Sequence, residues 1–100
     1  DDRVISLADF LHIRGGLAEL SLRGNRKLLR DALANEAPGH DFSHLTRAAG
    51  MFTFLGITPE QVQALKKDYA IYMVGSSRIN VAGITETNVE YLAESIAAVL

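Results

Sequence analysis

Arg78 is the residue whose type and position most favour binding of a ligand. It follows the turn-forming residues Gly75, Ser76 and Ser77 and opens the apolar run 78–82. A guanidinium at the start of a strand can hold a carboxylate through two parallel hydrogen bonds, a planar contact that an ammonium group does not reproduce. A surface arginine, or a partner for a neighbouring Asp or Glu, is the simpler role. From position alone both alternatives stay open.

Two histidines suggest a metal site at first sight. His40 and His44 flank Asp41, in a segment that we predict to be extended. In a strand the two rings would lie about 13 Å apart, too far to ligate one ion. We therefore expect solvated histidines in an edge strand and no metal site.

Phe52 and Phe54 alternate along the run 51–55 and so share one face of the predicted strand. Either ring could line a pocket, although core packing is the usual role of such a pair. The serines lack the turn and the His–acid partners that a nucleophile needs, and no glycine-rich phosphate loop follows Gly75.

Apolar spacing and capping residues indicate the helices that would surround these strands. A short helix is predicted over 6–11, and an amphipathic helix over 17–35 with the apolar set Leu17, Leu20, Leu28, Ala32 and Leu33. Thr58, Pro59 and Gln61 form a capping box with proline at the first helical position. Thr85 is expected to cap the last helix, which has one apolar stripe running from Val89 to Leu100.

We interpret four short runs as strands: 41–45, 51–55, 70–74 and 78–82. The order from residue 17 onward is then α-β-β-α-β-β-α. This order predicts an α/β domain in two layers, a small sheet with helices on it.

Composition excludes several classes of protein. With 100 residues, 48% of them hydrophobic, and a net charge of -2, the chain has the composition of one globular domain and lacks the basic excess of a nucleic-acid binder. The cluster Arg23, Arg26, Lys27 and Arg30 is diluted by acidic neighbours, and we expect it to be a solvated face.

No apolar run reaches the roughly 20 residues of a membrane span. There is no Cys and no signal peptide, so we expect a cytoplasmic protein. The missing initiator Met suggests trimming or a piece of a longer chain.

The second half resembles a known family. The segments that carry the likeness are GMFTFLGIT at 50–58, QV at 61–62, IY at 71–72, SSRINVAGIT at 76–85, Asn88, and IAAVL at 96–100. They look like the C-terminus of aspartate and aromatic-amino-acid aminotransferases, pyridoxal-phosphate (PLP) enzymes of fold type I. The likeness runs from about residue 41 to residue 100 and extends back through the helix at 17–35 by pattern alone, while residues 1–16 do not match clearly.

The resemblance implies roles for two residues. Arg78 falls on the arginine that binds the α-carboxylate of the amino-acid or 2-oxo-acid substrate, and Phe52 on the aromatic residue beside it. Phe54 inherits no such role and is expected in the core. Ser77 stands where most relatives have Gly, so it would be strained if the turn requires a positive φ.

The resemblance also implies what lies elsewhere. Residues 17–100 would form the small domain of a larger, homodimeric enzyme, whose large domain supplies the cofactor lysine. None of Lys27, Lys66 and Lys67 stands in a matching context, so we expect no catalytic residue in this chain, no PLP bound by it and no activity from it alone. The alternative is a non-enzymatic α/β domain that binds an amino acid or a partner chain.

Overall fold

The computed structural model describes residues 5–7, 19–48 and 50–100. The helices are α1 (Glu19–Glu36), α2 (Pro59–Tyr69) and α3 (Val89–Val99), with 3-10 turns at Ser43–Thr46 and Val81–Gly83. The strands are β1 (Ile5–Ser6), β2 (Phe52–Phe54), β3 (Ile71–Tyr72) and β4 (Arg78–Asn80). This mixture of helices with small sheets confirms the predicted α/β class.

The strands form two small sheets in the described part of the chain, where the sequence suggested one. β1 pairs in parallel with β3, and β2 pairs antiparallel with β4. Leu7 joins them, because its N–H donates to the Tyr72 carbonyl at 2.8 Å while its own carbonyl accepts from the Asn80 N–H at 2.7 Å. The backbone just beyond β1 therefore connects the two sheets.

The predicted helix at 6–11 is wrong at its start, since Ser6 lies in β1 opposite Tyr72. Residues 8–11 of that prediction lie outside the described residues. A strand of two residues has too little sequence pattern to reveal its pairing with a partner so far along the chain.

The predicted strand at 41–45 is a 3-10 turn. Its backbone bonds run over three residues, from the Leu45 N–H to the Phe42 carbonyl and from the Arg47 N–H to the His44 carbonyl, each at 3.1 Å. Side chains add local bonds, since the Ser43 N–H donates to the Asp41 carboxylate at 2.9 Å. Such side-chain bonds to nearby backbone compete with strand pairing, and here they win.

The buried face of the first helix agrees with the predicted set only at Leu33, and the side chains of the predicted Leu17 and Leu20 lie outside the described residues. Leu28 and Ala32 are only partly buried, whereas a stripe at spacings of four, three and four is buried: Leu22, Arg26, Leu29 and Leu33. Arg26, which we expected on a solvated basic face, is 1% exposed. The helix turns this stripe inward to pack against α3 and the turn Ser43–Thr46.

The start of α2 confirms the predicted capping box. The Gln61 N–H donates to Thr58 Oγ1 at 3.1 Å, and the Thr58 N–H donates to Gln61 Oε1 at 2.8 Å. Val62 and Leu65 of this helix are buried as expected. The cap therefore fixes where the chain leaves the loop that follows β2.

The last helix begins later than predicted. Thr85 and Asn88 exchange hydrogen bonds, but α3 starts at Val89 with Asn88 as its N-cap. The expected stripe is buried at its centre and partly exposed at Ala97 and Leu100. No helix in the described ranges is long and apolar enough to span a bilayer.

Candidate functional site

The antiparallel ribbon of β2 and β4 brings the two candidate residues, Phe52 on β2 and Arg78 on β4, to the same face. Phe54 lies opposite Arg78 and Thr53 opposite Ile79. Because side chains alternate across a strand, Phe52, Phe54 and Arg78 share one face, while Thr53 and Ile79, at 6% and 0% exposure, are packed into the core on the other. The buried face anchors the ribbon and leaves the first face for contact with other groups.

Arg78 contacts Phe52 directly. The central carbon of its guanidinium lies 4.8 Å from the centre of the Phe52 ring, which is cation–π distance. Arg78 is exposed and Phe52 partly buried. Contact with a ring face uses none of the N–H donors of a guanidinium, so they stay available to a planar anion. The arrangement can therefore present a preoriented fork of donors to a carboxylate.

Phe54 is the clearest correction on this face. We expected it in the core, yet 56% of it is exposed. The alternation that aligns it with Phe52 also turns it away from the buried side, and no described element covers it there. Its backbone carbonyl oxygen accepts a hydrogen bond from His44 Nε2 at 2.9 Å, so this ring nitrogen carries a proton.

Ser77, the residue before the arginine, has a left-handed backbone conformation. Its φ is 64°, so the turn does require a positive φ at this position. Its N–H donates to the Val74 carbonyl and its carbonyl accepts from the Leu55 N–H, both at 2.9 Å. Its Oγ accepts from the Gly56 N–H at 3.0 Å. The sequence raised the strain only as a condition and gave no sign of this side-chain bond, because Gly56 lies 21 positions away along the chain.

The histidines take a different geometry from the one assumed. His44 lies in a 3-10 turn and not in an edge strand, so the 13 Å spacing does not apply. Its Nε2 is bonded to Phe54, and its ring lies 6.2 Å from that of Phe42. Among residues 5–7, 19–48 and 50–100 no three His, Asp or Glu side chains are placed to hold a metal ion.

Asp41 is the titratable group whose chemistry this turn changes. Hydrogen bonds from the Ser43 hydroxyl and the Ser43 N–H to its carboxylate lower its pKa below the ordinary 3.8, and the positive charge of Arg47 adds to the effect. The carboxylate is exposed, and the hydrogen bonds that it accepts are local to the turn.

The three lysines of the chain lie in exposed positions. A lysine that holds an aldehyde cofactor needs an enclosed setting that activates its amine. Lys27 on α1 and Lys66 and Lys67 on α2 are all exposed. Their exposed amines lack the enclosed setting that a lysine needs to hold PLP.

Comparison with known proteins shows the family to which the chain is similar. Residues 18–96 match the family model described as aminotransferase class I and II. The chain is 44% identical over 84 residues to mitochondrial aspartate aminotransferase of Dictyostelium discoideum, covering 84% of this chain and 20% of that protein. It is 52% identical over 75 residues to aspartate aminotransferase of Haemophilus influenzae, covering 75% of this chain and 19% of that protein.

Solved structures give the same result. Cytoplasmic aspartate aminotransferase of Saccharomyces cerevisiae superposes with a TM-score of 0.77 at 36% identity, covering 80% of this chain and 19% of that one. Aromatic-amino-acid aminotransferase of Burkholderia pseudomallei, solved covalently bound to pyridoxal phosphate, gives a TM-score of 0.77 at 36% identity, covering 80% and 20%. The chain spans about a fifth of the length of these relatives. From the family match and the shared fold, this chain belongs to the class I and II aminotransferase family.

Proposed function

We propose that the chain forms the C-terminal part of a PLP-dependent aminotransferase that moves an amino group between aspartate or aromatic amino acids and 2-oxoglutarate. The single observation that supports this best is the Arg78 guanidinium over the Phe52 ring, on an exposed face of a ribbon anchored in the core. The family match makes a substrate carboxylate the natural anion for that arginine.

In this proposal Arg78 binds the α-carboxylate of the amino-acid or 2-oxo-acid substrate. Two parallel N–H donors fix a carboxylate in position and in angle, which aims the α-amino group at the reacting centre. Phe52 forms the wall beside the carboxylate and restricts the guanidinium to one side of the ribbon. A lysine would supply the charge without the angle.

The rest of the enzyme would lie outside this chain. Residues 17–100 would be its small domain, and a large domain would contribute the PLP site that the exposed lysines here do not form. We further propose a homodimeric enzyme in the cytoplasm. The relatives named above include both a cytoplasmic and a mitochondrial protein, so location rests on the sequence argument alone.

The test uses the complete enzyme of which this chain would be part. Replacing Arg78 by Leu or Lys removes the fork, and a substrate carboxylate that loses its hydrogen-bonded charge partner in the closed site of the complete enzyme is bound about 2–5 kcal/mol less favourably. We therefore expect kcat/KM for aspartate and for phenylalanine to fall by about 30-fold to several thousandfold. Arg23→Leu, an exposed arginine on α1, is the matched control and should have little effect. An unchanged kcat/KM for Arg78→Leu would refute the assignment.

A second measurement tests whether the cofactor site lies outside this chain. When the 100-residue chain is mixed with PLP, we expect only the weak absorbance of nonspecific imines with surface lysines. A stoichiometric adduct that borohydride traps on one lysine would show that the chain carries a cofactor site after all.

A further inference from the structure

The end of the β2–β4 ribbon next to Arg78 is closed by a side chain as well as by backbone. The Leu55 N–H donates to the Ser77 carbonyl at 2.9 Å, continuing the ladder one step beyond the Phe54–Arg78 pair. One residue further, the Gly56 N–H donates to Ser77 Oγ at 3.0 Å. The segment after β2 is thus tied twice to the one residue that precedes the arginine.

Both residues of the second tie have left-handed backbone conformations. Ser77 has φ 64° and Gly56 has φ 82°. Glycine adopts such angles freely, whereas serine does so at a cost. The Ser77 side chain is nonetheless inside the protein, at 1% exposure, and its hydroxyl is directed at a backbone donor. The hydroxyl bond offsets the strain and makes the conformation specific.

We propose that Ser77 is a positioning residue for Arg78, with its Oγ bond to the Gly56 N–H fixing the direction in which the arginine leaves the turn. Ser77 is held at its N–H, its carbonyl and its hydroxyl at once, and its carbonyl belongs to the peptide that leads into Arg78. Arg78 therefore starts from a fixed backbone before its guanidinium lies over Phe52. This inference rests on the proposed role of Arg78 in binding a substrate carboxylate.

Loss of the Ser77 hydroxyl should weaken substrate binding and leave the rate of the chemical step unchanged. Without the hydroxyl, the turn keeps its strain and loses the bond that compensates it, so the arginine samples more directions. Loss of one such bond corresponds to about a three- to tenfold change in an equilibrium constant. A merely structural defect would lower the fraction of folded enzyme, which lowers kcat and leaves KM unchanged.

The kinetic test compares Ser77→Ala with Ser76→Ala in the complete enzyme. Ser76 is an exposed serine in the same turn and serves as the matched control. We expect Ser77→Ala to raise KM for aspartate and 2-oxoglutarate by about three- to tenfold with kcat within about twofold. In the Arg78→Leu background the same substitution should not change KM, since a residue that acts through Arg78 has nothing left to position.

A structural readout on the 100-residue chain makes the test independent of activity. Amide hydrogen exchange of Gly56 should speed up by about three- to tenfold in Ser77→Ala and stay unchanged in Ser76→Ala. An unchanged KM in Ser77→Ala, with Arg78→Leu still impaired, overturns the positioning role and leaves the proposed function standing. An Arg78→Leu enzyme with normal kcat/KM overturns the proposed function itself.

Discussion

Ala70 occupies a backbone conformation that glycine would adopt more easily. It is the C-cap of α2 with φ 57° and ψ 35°, and its N–H donates to the Leu65 carbonyl. Its own carbonyl accepts from the Ile5 N–H at 3.0 Å, so the left-handed turn directs the chain from the helix into the pairing with β1. We predict that Ala70→Gly stabilises the chain.

The magnitude follows from two opposing effects. A left-handed conformation costs a residue with a Cβ about 1–2 kcal/mol, which Gly would recover. Gly also makes the unfolded chain more flexible, which costs about 0.4–1 kcal/mol. The Ala70 methyl is only partly buried, so little packing is lost. The net gain in free energy of unfolding is about 0.5–1 kcal/mol, or about 2–8 °C in Tm for a chain of this size.

The matched control is Ala64→Gly, in the middle of the same helix. There the backbone is helical, so the same chemical change gains nothing from relief of strain and costs about 1 kcal/mol. Urea unfolding followed by circular dichroism, with equal slopes for the three proteins, gives both values. The two variants should shift the urea midpoint in opposite directions. If Ala70→Gly lowers the midpoint as much as Ala64→Gly, the argument from left-handed strain at Ala70 is refuted.

Three further predictions concern a hydrogen bond between α2 and α3, the cap of α2 and the carboxylate of Asp41. Tyr91→Phe removes the hydrogen bond from the Tyr91 hydroxyl to the Tyr69 carbonyl at 2.8 Å and should lower the urea-derived free energy of unfolding by about 1 kcal/mol; a change near zero would mean that the bond contributes nothing net. Thr58→Ala breaks the capping box and should cost about 0.5–2 kcal/mol, seen as a lower Tm; an unchanged Tm would contradict it. Because the pKa of folded Asp41 lies below 3.8, its carboxylate stabilises the chain above that pH and the contribution is lost as pH falls through the folded pKa. An NMR titration of Asp41 should show a midpoint below 3.8, and Asp41→Asn should weaken the acid dependence of stability; a midpoint at or above 3.8 would contradict the bonds from Ser43.

The features that sequence predicted well are those set by neighbouring residues. The capping box at Thr58 involves residues three positions apart, and its two bonds form as expected. The turn at 75–77 also forms where the sequence placed it, and the structure shows the positive φ of Ser77 that the sequence left open. Arg78 at the start of β4 and Phe52 in β2 were each placed by short apolar runs, and the structure brings their side chains together.

The features that sequence missed arise from local hydrogen bonds in an ambiguous run and from contacts between distant segments. Local bonds at Asp41 and Ser43 turned a predicted strand into a 3-10 turn, since a short apolar run is ambiguous between the two. Which face of α1 is buried, with Arg26 inside, depended on what α1 packs against. The exposure of Phe54 depended on which side of the β2–β4 ribbon meets the core.

The sequence by itself determined the helix that begins after Thr58, the family, and the arginine that follows a strained serine, because these are written in residue types at short spacing. Only the tertiary structure decided that Ser77 Oγ meets the Gly56 N–H, that β1 pairs with β3, and that Phe54 is exposed beside Arg78. Those contacts join segments far apart in the chain. Their geometry depends on which faces of the helices and strands pack against one another, and the spacing of residues within one element does not predict that packing.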